Sequence, residues 1–183
     1  VIICVDYIFT RPIMEIMLEK AKHITIIDHH RSSIYLVGIK NPKLEFVLDY
    51  TKCASELVLN KYAHIVKPSE HMKNIVSCVS DRDLYSWRYP NSRYISDALF
   101  SLKIYSIDTI DKAYDYSIDR LVEIGKLLEA NKFEQYKEII PKGVEITYYG
   151  YKTIVFDYRG GLRSDLGNLL VGEMTIPDTI VNF

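Results

Sequence analysis

The sequence has few cysteines, no long apolar run and almost no excess of charge, and each absence excludes a class of protein. Only 3 cysteines occur in 183 residues, which is too few for a disulfide framework, and none forms the C-x-x-C pair of a zinc knuckle. No apolar run approaches the roughly 20 residues of a membrane helix, and no secretory leader pattern opens the chain. We therefore expect a cytoplasmic globular protein with no membrane partner.

The balance of charge limits the ligands that the protein can bind. The formal net charge is −1, whereas a protein that coats long nucleic acid is normally visibly basic. A small phosphorylated ligand held through metal ions remains compatible with this balance. Both ends of the sequence fall in or just after apolar, strand-like runs, so we expect a fragment of a longer protein.

The first thirty residues predict a strand–helix–strand unit. An apolar run at 1–5 ends at Asp6, Pro12 opens a helical pattern, and a second strand-forming run follows at 24–28. Such a unit normally forms a right-handed parallel crossover. If the two strands are neighbours, their axes lie about 4.8 Å apart, and the residues that follow them meet at one edge of the sheet.

Polar side chains that can bind metal or transfer protons stand where both predicted strands end. Asp6 ends the first run, and Asp28, His29 and His30 end the second. Polar residues often end strands because they reach solvent. Three such residues in a row favour a functional site, since open α/β sheets collect their chemistry at the carboxyl ends of strands.

The rest of the pattern predicts an α/β fold with a parallel sheet flanked by helices. A strand is expected at 44–48, and helices at 53–62, 69–80, 93–103 and 107–131. From residue 144 the period changes from helical to alternating, with Tyr149-Gly150 as a tight turn. We therefore expect a first domain at 1–142 and the beginning of a smaller α/β domain at 143–183.

Four segments, in this order, resemble the DHH phosphoesterases, a family named after the triplet that stands here at 28–30. These are metal-dependent hydrolases of phosphodiester and phosphoanhydride bonds, and they include single-strand exonucleases, oligoribonucleases and exopolyphosphatases. The triplet is the specific part of the match. The other segments are weak individually, but their occurrence in the family's order along residues 1–140 supports the resemblance. The segments are Val5-Asp6, Ile26-Ile27-Asp28-His29-His30, Cys53-Ala54-Ser55-Glu56-Leu57-Val58 and Ser80-Asp81.

The resemblance implies a two-metal site. Asp6 would bridge the two cations, His29 would be a ligand, and Asp81 would complete the second ion. Two such ions about 3.5–4 Å apart neutralise a phosphoryl group and generate hydroxide near neutral pH. Mixed carboxylate and imidazole ligation favours Mn²⁺, with Mg²⁺ as the alternative. Asp83 is the alternative to Asp81, although it could instead form an ion pair with a neighbouring arginine.

The resemblance also implies roles for the remaining candidates, in orienting a metal ligand or in contacting the substrate. Asp28 and His30 are the candidate catalytic residues: Asp28 would orient a ligand without touching the metal, and His30 would contact the substrate phosphate. His30 points away from His29 if the strand continues through it. Arg82 and Arg163 are further candidate contacts to an anionic substrate. The expected partner is a phosphorylated small molecule or a short single-stranded nucleic acid, and a homodimer is one candidate assembly.

The sequence also departs from the family. The family's first motif and the glycine-rich, histidine-containing segment of its C-terminal domain are absent, and residues 144–183 resemble only the beginning of that domain. We predict a metal-dependent phosphoesterase that is inactive as this fragment alone. Two alternatives stay open: a non-catalytic binding or scaffold protein that kept the fold, and a zinc or hydrolytic enzyme that uses the two histidines differently and does not need Asp6.

Cationic and aromatic side chains interleave between residues 82 and 94. Stacking of a base on such rings is worth roughly 1–3 kcal/mol, so a nucleotide platform is one interpretation. Tyrosine and tryptophan are also common buried anchors. Because no periodicity exposes these rings together, the sequence favours packing.

Overall fold

The computed structural model describes residues 1–104, 106, 109–157, 163–173 and 179–182; within the last two ranges it describes the side chains of 165–170 only. The chain divides into two compact units, Val1–Gly125 and Lys126–Phe183. The first is a mixed α/β unit with a three-stranded parallel sheet flanked by helices, as the sequence predicts. None of the helices in the described part of the chain has the length and apolar character needed to cross a bilayer.

The parallel sheet of the first unit has the order β1-β2-β3. Its strands are β1 (Ile2–Val5), β2 (Ile24–Asp28) and β3 (Leu44–Leu48), and helix α1 (Arg11–Lys20) connects the first two. All five residues of β2 are buried, which is expected of a central parallel strand covered on both faces. The register pairs Val5 with Ile27, so the chain leaves β1 and β2 at nearly the same level.

Four helices complete the first unit, and the last of them continues into the second. They are α2 (Ala54–Val66), α3 (Glu70–Asp83), α4 (Ser92–Ser101) and α5 (Ile118–Ile139). Short 3₁₀ helices span Arg31–Leu36 and Ile110–Asp115. Apolar residues of α3, α4 and the start of α5 form one core, and residues of α1 and the sheet form another.

The structure differs from the predicted helix at 107–131. A 3₁₀ helix stands at Ile110–Asp115, and α5 begins only at Ile118. The Ser117 side chain accepts a hydrogen bond from the backbone N–H of Arg120 at 3.2 Å, so it starts a new helix there. The apolar spacing that runs across both segments does not reveal this break.

The second unit contains an antiparallel hairpin and one further parallel strand. Its strands are β4 (Val144–Tyr148), β5 (Tyr151–Val155) and β6 (Thr179–Asn182), and helix α6 spans Arg163–Glu173. Tyr149 and Gly150 form the hairpin turn with φ angles of 48° and 83°, the positive values that such two-residue turns require.

The two units divide inside α5, whereas the sequence pattern changes at residue 142. The C-terminal half of α5 carries Tyr136 and Ile139, which pack with Leu166 and Leu170 of α6. This half of the helix therefore belongs to the core of the second unit. A change from helical to alternating period marks where a sheet begins and cannot show which core the preceding helix joins.

Candidate metal centre

Asp6 follows β1 directly and occupies the edge of the sheet beside β2. Its backbone N–H donates a hydrogen bond to the carbonyl of Ile27 at 3.0 Å, which extends the β1–β2 ladder by one residue. Its φ angle of 55° then turns the chain into the left-handed region, which aspartate tolerates better than most residues. The Asp6 side chain is thereby fixed next to the end of β2.

His29 leaves β2 immediately after its last residue and faces Asp6. Its Nε2 atom lies 3.2 Å from Oδ1 of Asp6, and the imidazole is almost wholly enclosed, with 9% of its side-chain surface exposed. The proximity expected from two neighbouring parallel strands is therefore found. Asp6 itself is half exposed, so solvent reaches the cluster from its side.

A second carboxylate, that of Asp83, approaches the same histidine from the last residue of α3. Oδ2 of Asp83 lies 3.3 Å from Nε2 of His29. Burial raises the pKa of the Asp83 carboxyl, and the nearby Asp6 raises it further, against the opposing influence of His29. From the sequence, Asp83 is only the alternative to Asp81, because Ser80-Asp81 is the pair that resembles the family's motif.

His30 pairs with the buried carboxylate of Asp28. Nδ1 of His30 lies 2.8 Å from Oδ1 of Asp28, which is only 1% exposed. The hydrogen bond to Asp28 raises the pKa of His30 above its ordinary value. The rings of His29 and His30 lie on the same side, with centroids 4.4 Å apart, because β2 ends at Asp28 and the strand alternation expected for His30 does not continue.

Two polar features stand at this edge of the sheet, and a bound cation would satisfy the first. First, the carboxylates of Asp6 and Asp83 converge on one nitrogen of His29, which carries at most one hydrogen and cannot donate fully to both. Second, Oδ2 of Asp28 is buried and has no hydrogen-bond partner among the described residues. Such orphaned polar atoms are costly in a folded protein and call for an ion or water.

The spacing of the ligand atoms also fits a divalent cation. Asp6, His29 and His30 each offer one ligand atom, and these atoms lie within 4.8 Å of one another. Nitrogen and oxygen atoms bound at about 2.0–2.2 Å to one ion stand roughly 3.0–3.5 Å apart, and the two contacts of His29 have that length. Carboxylate and imidazole donors without thiolate suit Mn²⁺ or a similar ion.

Asp81, the residue preferred from the sequence as a metal ligand, has a different position. It is 1% exposed and accepts hydrogen bonds from the hydroxyl of Ser86 at 2.7 Å and from the backbone N–H groups of Arg88 and Tyr89 at 2.8 and 3.1 Å. Burial by itself would raise its pKa, but these hydrogen bonds outweigh burial and lower it. Asp81 thus anchors the segment that follows α3, and the structure does not bring it into the cluster.

His30 is the predicted substrate contact that the structure places in the cluster, and the other two predicted contacts are Arg82 and Arg163. The guanidinium of Arg82 stacks over the ring of Tyr85 at 5.0 Å and lies 6.0 Å from that of Trp87. Arg93 covers Trp87 at 4.8 Å. These contacts pair Arg82 and Arg93 with Tyr85 and Trp87, whereas the ring of Tyr89 remains about half exposed. Arg163 belongs to α6, but its side chain is not among those that the structure describes.

Comparison of this chain with protein-family models, with curated proteins and with solved structures found no match.

Proposed function

We propose that this chain carries the metal-binding half of a DHH-type phosphoesterase that hydrolyses phosphodiester or phosphoanhydride bonds. The observation that carries the proposal is the convergence of Asp6 and Asp83 on His29 at the carboxyl ends of β1 and β2. The order of the matching segments along the chain supports the same assignment. A cytoplasmic location and an anionic nucleotide-like or polyphosphate substrate are part of this proposal.

Asp6 and His29 are the proposed ligands of one divalent cation, preferably Mn²⁺. Asp83, which faces His29 but lies outside the group formed by Asp6, His29 and His30, is the proposed third ligand once its carboxylate turns toward Asp6. When bound, such an ion supplies positive charge for the phosphoryl group and lowers the pKa of a bound water. Asp83 replaces Asp81 in this ligand set because it faces His29. The described residues offer ligands for one ion, so a two-metal mechanism needs further carboxylates.

The Asp28–His30 pair is the proposed contact to the substrate phosphate. Asp28 accepts the hydrogen bond of Nδ1, which fixes the ring and leaves Nε2 as the outward nitrogen. The raised pKa of His30 favours the protonated ring, whose Nε2–H can donate to a phosphate oxygen. The His30 side chain is 55% exposed, so a substrate can reach it.

Hydrolysis assays with added Mn²⁺ test the proposal on this chain and on any longer gene product that contains it. The substrates are bis-p-nitrophenyl phosphate, short oligonucleotides and polyphosphate. We expect no hydrolysis by this chain alone, and metal-dependent hydrolysis by a longer product that Asp6→Asn abolishes and that His30→Gln slows by roughly 100-fold or more, as for loss of a proton donor.

Two other results would change the assignment. If Asp6→Asn hydrolysed the substrates at the full rate in the presence of a chelator, the reaction would not depend on a metal at this site. Tight Mn²⁺ binding without hydrolysis in every product would favour the alternative, a binding or scaffold protein that kept the fold.

A further inference from the structure

Two adjoining clefts lie in the first unit between α3, the start of α2 and the segment that follows α3. One has a volume of about 250 Å³ and the other of about 150 Å³. They share Ser77 on α3 and Tyr89 in the following segment, so Tyr89 stands at their common boundary. None of the proposed metal ligands lines either cleft.

The larger cleft has the lining of a site for a flat heterocycle. Ile95 and Cys78 provide an apolar surface, and the ring of Tyr89 stands beside it, about half exposed. Asn74 and Asn91, whose side chains carry amides, also line the cleft. Apolar and aromatic walls with a few convergent amide groups are typical of sites that bind nucleobases, because rings stack and amides match the donors and acceptors of the base edge.

The smaller cleft is polar and is lined by two cations and two carboxylates. Lys52 and Arg88 line it together with Glu56 and Asp81, and Ser77 and Ser80 add hydroxyl groups. Lys52 lies 3.2 Å from Glu56 and is therefore already paired. Arg88 is the more available cation, since its side chain is 66% exposed and its Nε is 3.8 Å from Asp81, beyond hydrogen-bond distance. A guanidinium and hydroxyl groups are the donors that bind phosphate.

The wall shared by the clefts is held in place before any ligand arrives. The carboxylate of Asp81 accepts hydrogen bonds from the backbone N–H groups of both Arg88 and Tyr89. These bonds stabilise the ionised form of Asp81, and the guanidinium of Arg88, with its Nε 3.8 Å away, offsets that negative charge. The cation and the aromatic ring are therefore attached to one rigid stretch of backbone.

We propose that the two clefts together bind one nucleoside monophosphate, with the base beside Tyr89 in the larger cleft and the phosphate at Arg88 in the smaller one. This site goes beyond the proposed hydrolysis and uses none of the residues assigned to the metal. It gives the protein a nucleotide-binding function that persists without a divalent cation.

Isothermal titration calorimetry with the whole chain in EDTA tests this site. The probes are AMP, GMP, CMP and UMP, with adenosine, ribose 5-phosphate and inorganic phosphate as partial ligands. We expect at least one nucleotide to bind more tightly than each of its parts. Arg88→Gln should raise the nucleotide Kd about tenfold, as for the loss of a charged hydrogen bond, and bring it close to that of the nucleoside.

Two further variants complete the design. Tyr89→Ala should reduce nucleotide affinity to that of ribose 5-phosphate while leaving ribose 5-phosphate binding unchanged. Arg120→Gln is the matched control, since Arg120 is similarly exposed at 61%, is paired with Glu123 and lines neither cleft. It should leave every Kd unchanged.

Three outcomes would overturn the proposal: no saturable nucleotide binding at millimolar concentrations, equal effects of the Arg88 and Arg120 variants, or nucleotide affinity no higher than that of the parts. Asp6→Asn separates this site from the metal centre, because it should abolish Mn²⁺ binding and leave nucleotide binding intact.

Discussion

At the scale of single residues, Asp81 and Asp83 have opposite surroundings although they are two positions apart on α3. Asp81 is enclosed and fully engaged by the segment that follows the helix. Asp83 is half exposed, with 48% of its side-chain surface accessible, and faces His29. One carboxylate therefore stabilises the fold, and the other is available to bind an ion.

This contrast predicts a separation of metal affinity from stability. Asp83→Asn removes a charged ligand and should weaken Mn²⁺ binding by at least about tenfold, with little change in the free energy of unfolding. Asp81→Asn is the matched control, because it makes the same chemical change and should leave the Mn²⁺ affinity of the folded protein unchanged. Titration of both variants with Mn²⁺, followed by electron paramagnetic resonance, measures the effect. Equal losses of Mn²⁺ affinity in the two variants would show that Asp83 is not a metal ligand.

Asp81→Ala should destabilise the fold by about 3 kcal/mol, because several buried hydrogen bonds to a charged acceptor are lost together. The segment that depends on them includes Tyr85 and Trp87, whose φ angles of 50° and 51° are unfavourable for bulky residues. Urea denaturation of the variant measures the change. A loss below about 1 kcal/mol would mean that the segment keeps its conformation by other contacts.

The sequence predicts part of this site, and the reason is geometric. Asp6 and His29 follow two strand-like runs, and neighbouring parallel strands bring their ends together whatever the details of packing. Asp81 and Asp83 point in different directions around α3 and lie at different distances from its end. Which of them faces His29 therefore depends on where the helix stops. The sequence pattern placed that end before Asp81, whereas α3 continues to Asp83.

At the scale of elements, α4 and α5 approach closely at a single glycine. A Cβ atom on Gly125 would lie 2.1 Å from the backbone oxygen of Tyr94 on α4. Backbone atoms cannot rotate away as a side chain can, so the contact requires a residue without Cβ.

Gly125→Ala should therefore destabilise the protein by about 2 kcal/mol or more through overpacking, although alanine is the better helix former. Thermal and urea unfolding measure this effect. Gly38→Ala is the control, since a Cβ there would lie an ordinary 3.8 Å from the backbone oxygen of Tyr35. A stabilising Gly125→Ala would contradict the close approach of the two helices.

Glu45 links β3 to the neighbouring strand and to α2. It accepts hydrogen bonds from the ammonium of Lys61 at 2.6 Å and from the hydroxyl of Thr25 at 3.2 Å. The hydrogen bond from Lys61 is the main reason that the pKa of Glu45 is lowered in the folded protein.

A lowered pKa means that Glu45 contributes stability above its unfolded pKa of about 4.3 and loses that contribution as the pH falls through its folded pKa. The stability difference between the wild-type protein and Glu45→Gln should therefore be largest near neutral pH and shrink below about pH 4. Urea unfolding at several pH values measures it. A difference that grows on acidification would reverse the sign and contradict the ion pair.

The pattern of the sequence was most informative for the sheet of the first unit. Strands predicted at 24–28 and 44–48 are found at those residues. The first of them is wholly buried, as expected of a short apolar run in a parallel sheet. The break between the 3₁₀ helix and α5 was not predicted, since it depends on one hydrogen bond from Arg120 to Ser117. Local capping of this kind leaves the hydrophobic spacing almost unchanged.

At the scale of the whole molecule, the first unit contains every residue of the proposed metal centre and both clefts. All lie within Val1–Gly125. The second unit has its own core and sheet. Metal and nucleotide binding should therefore depend on the first unit, and the two can be measured separately in the same chain.

The most direct test of the central claim is the stoichiometry of Mn²⁺ binding to the wild-type chain and to Asp6→Asn. We predict one bound Mn²⁺ per wild-type chain and loss of that ion in a variant that remains folded by circular dichroism. Unchanged Mn²⁺ binding by Asp6→Asn would contradict the account, because Asp6 and His29 would then not share an ion.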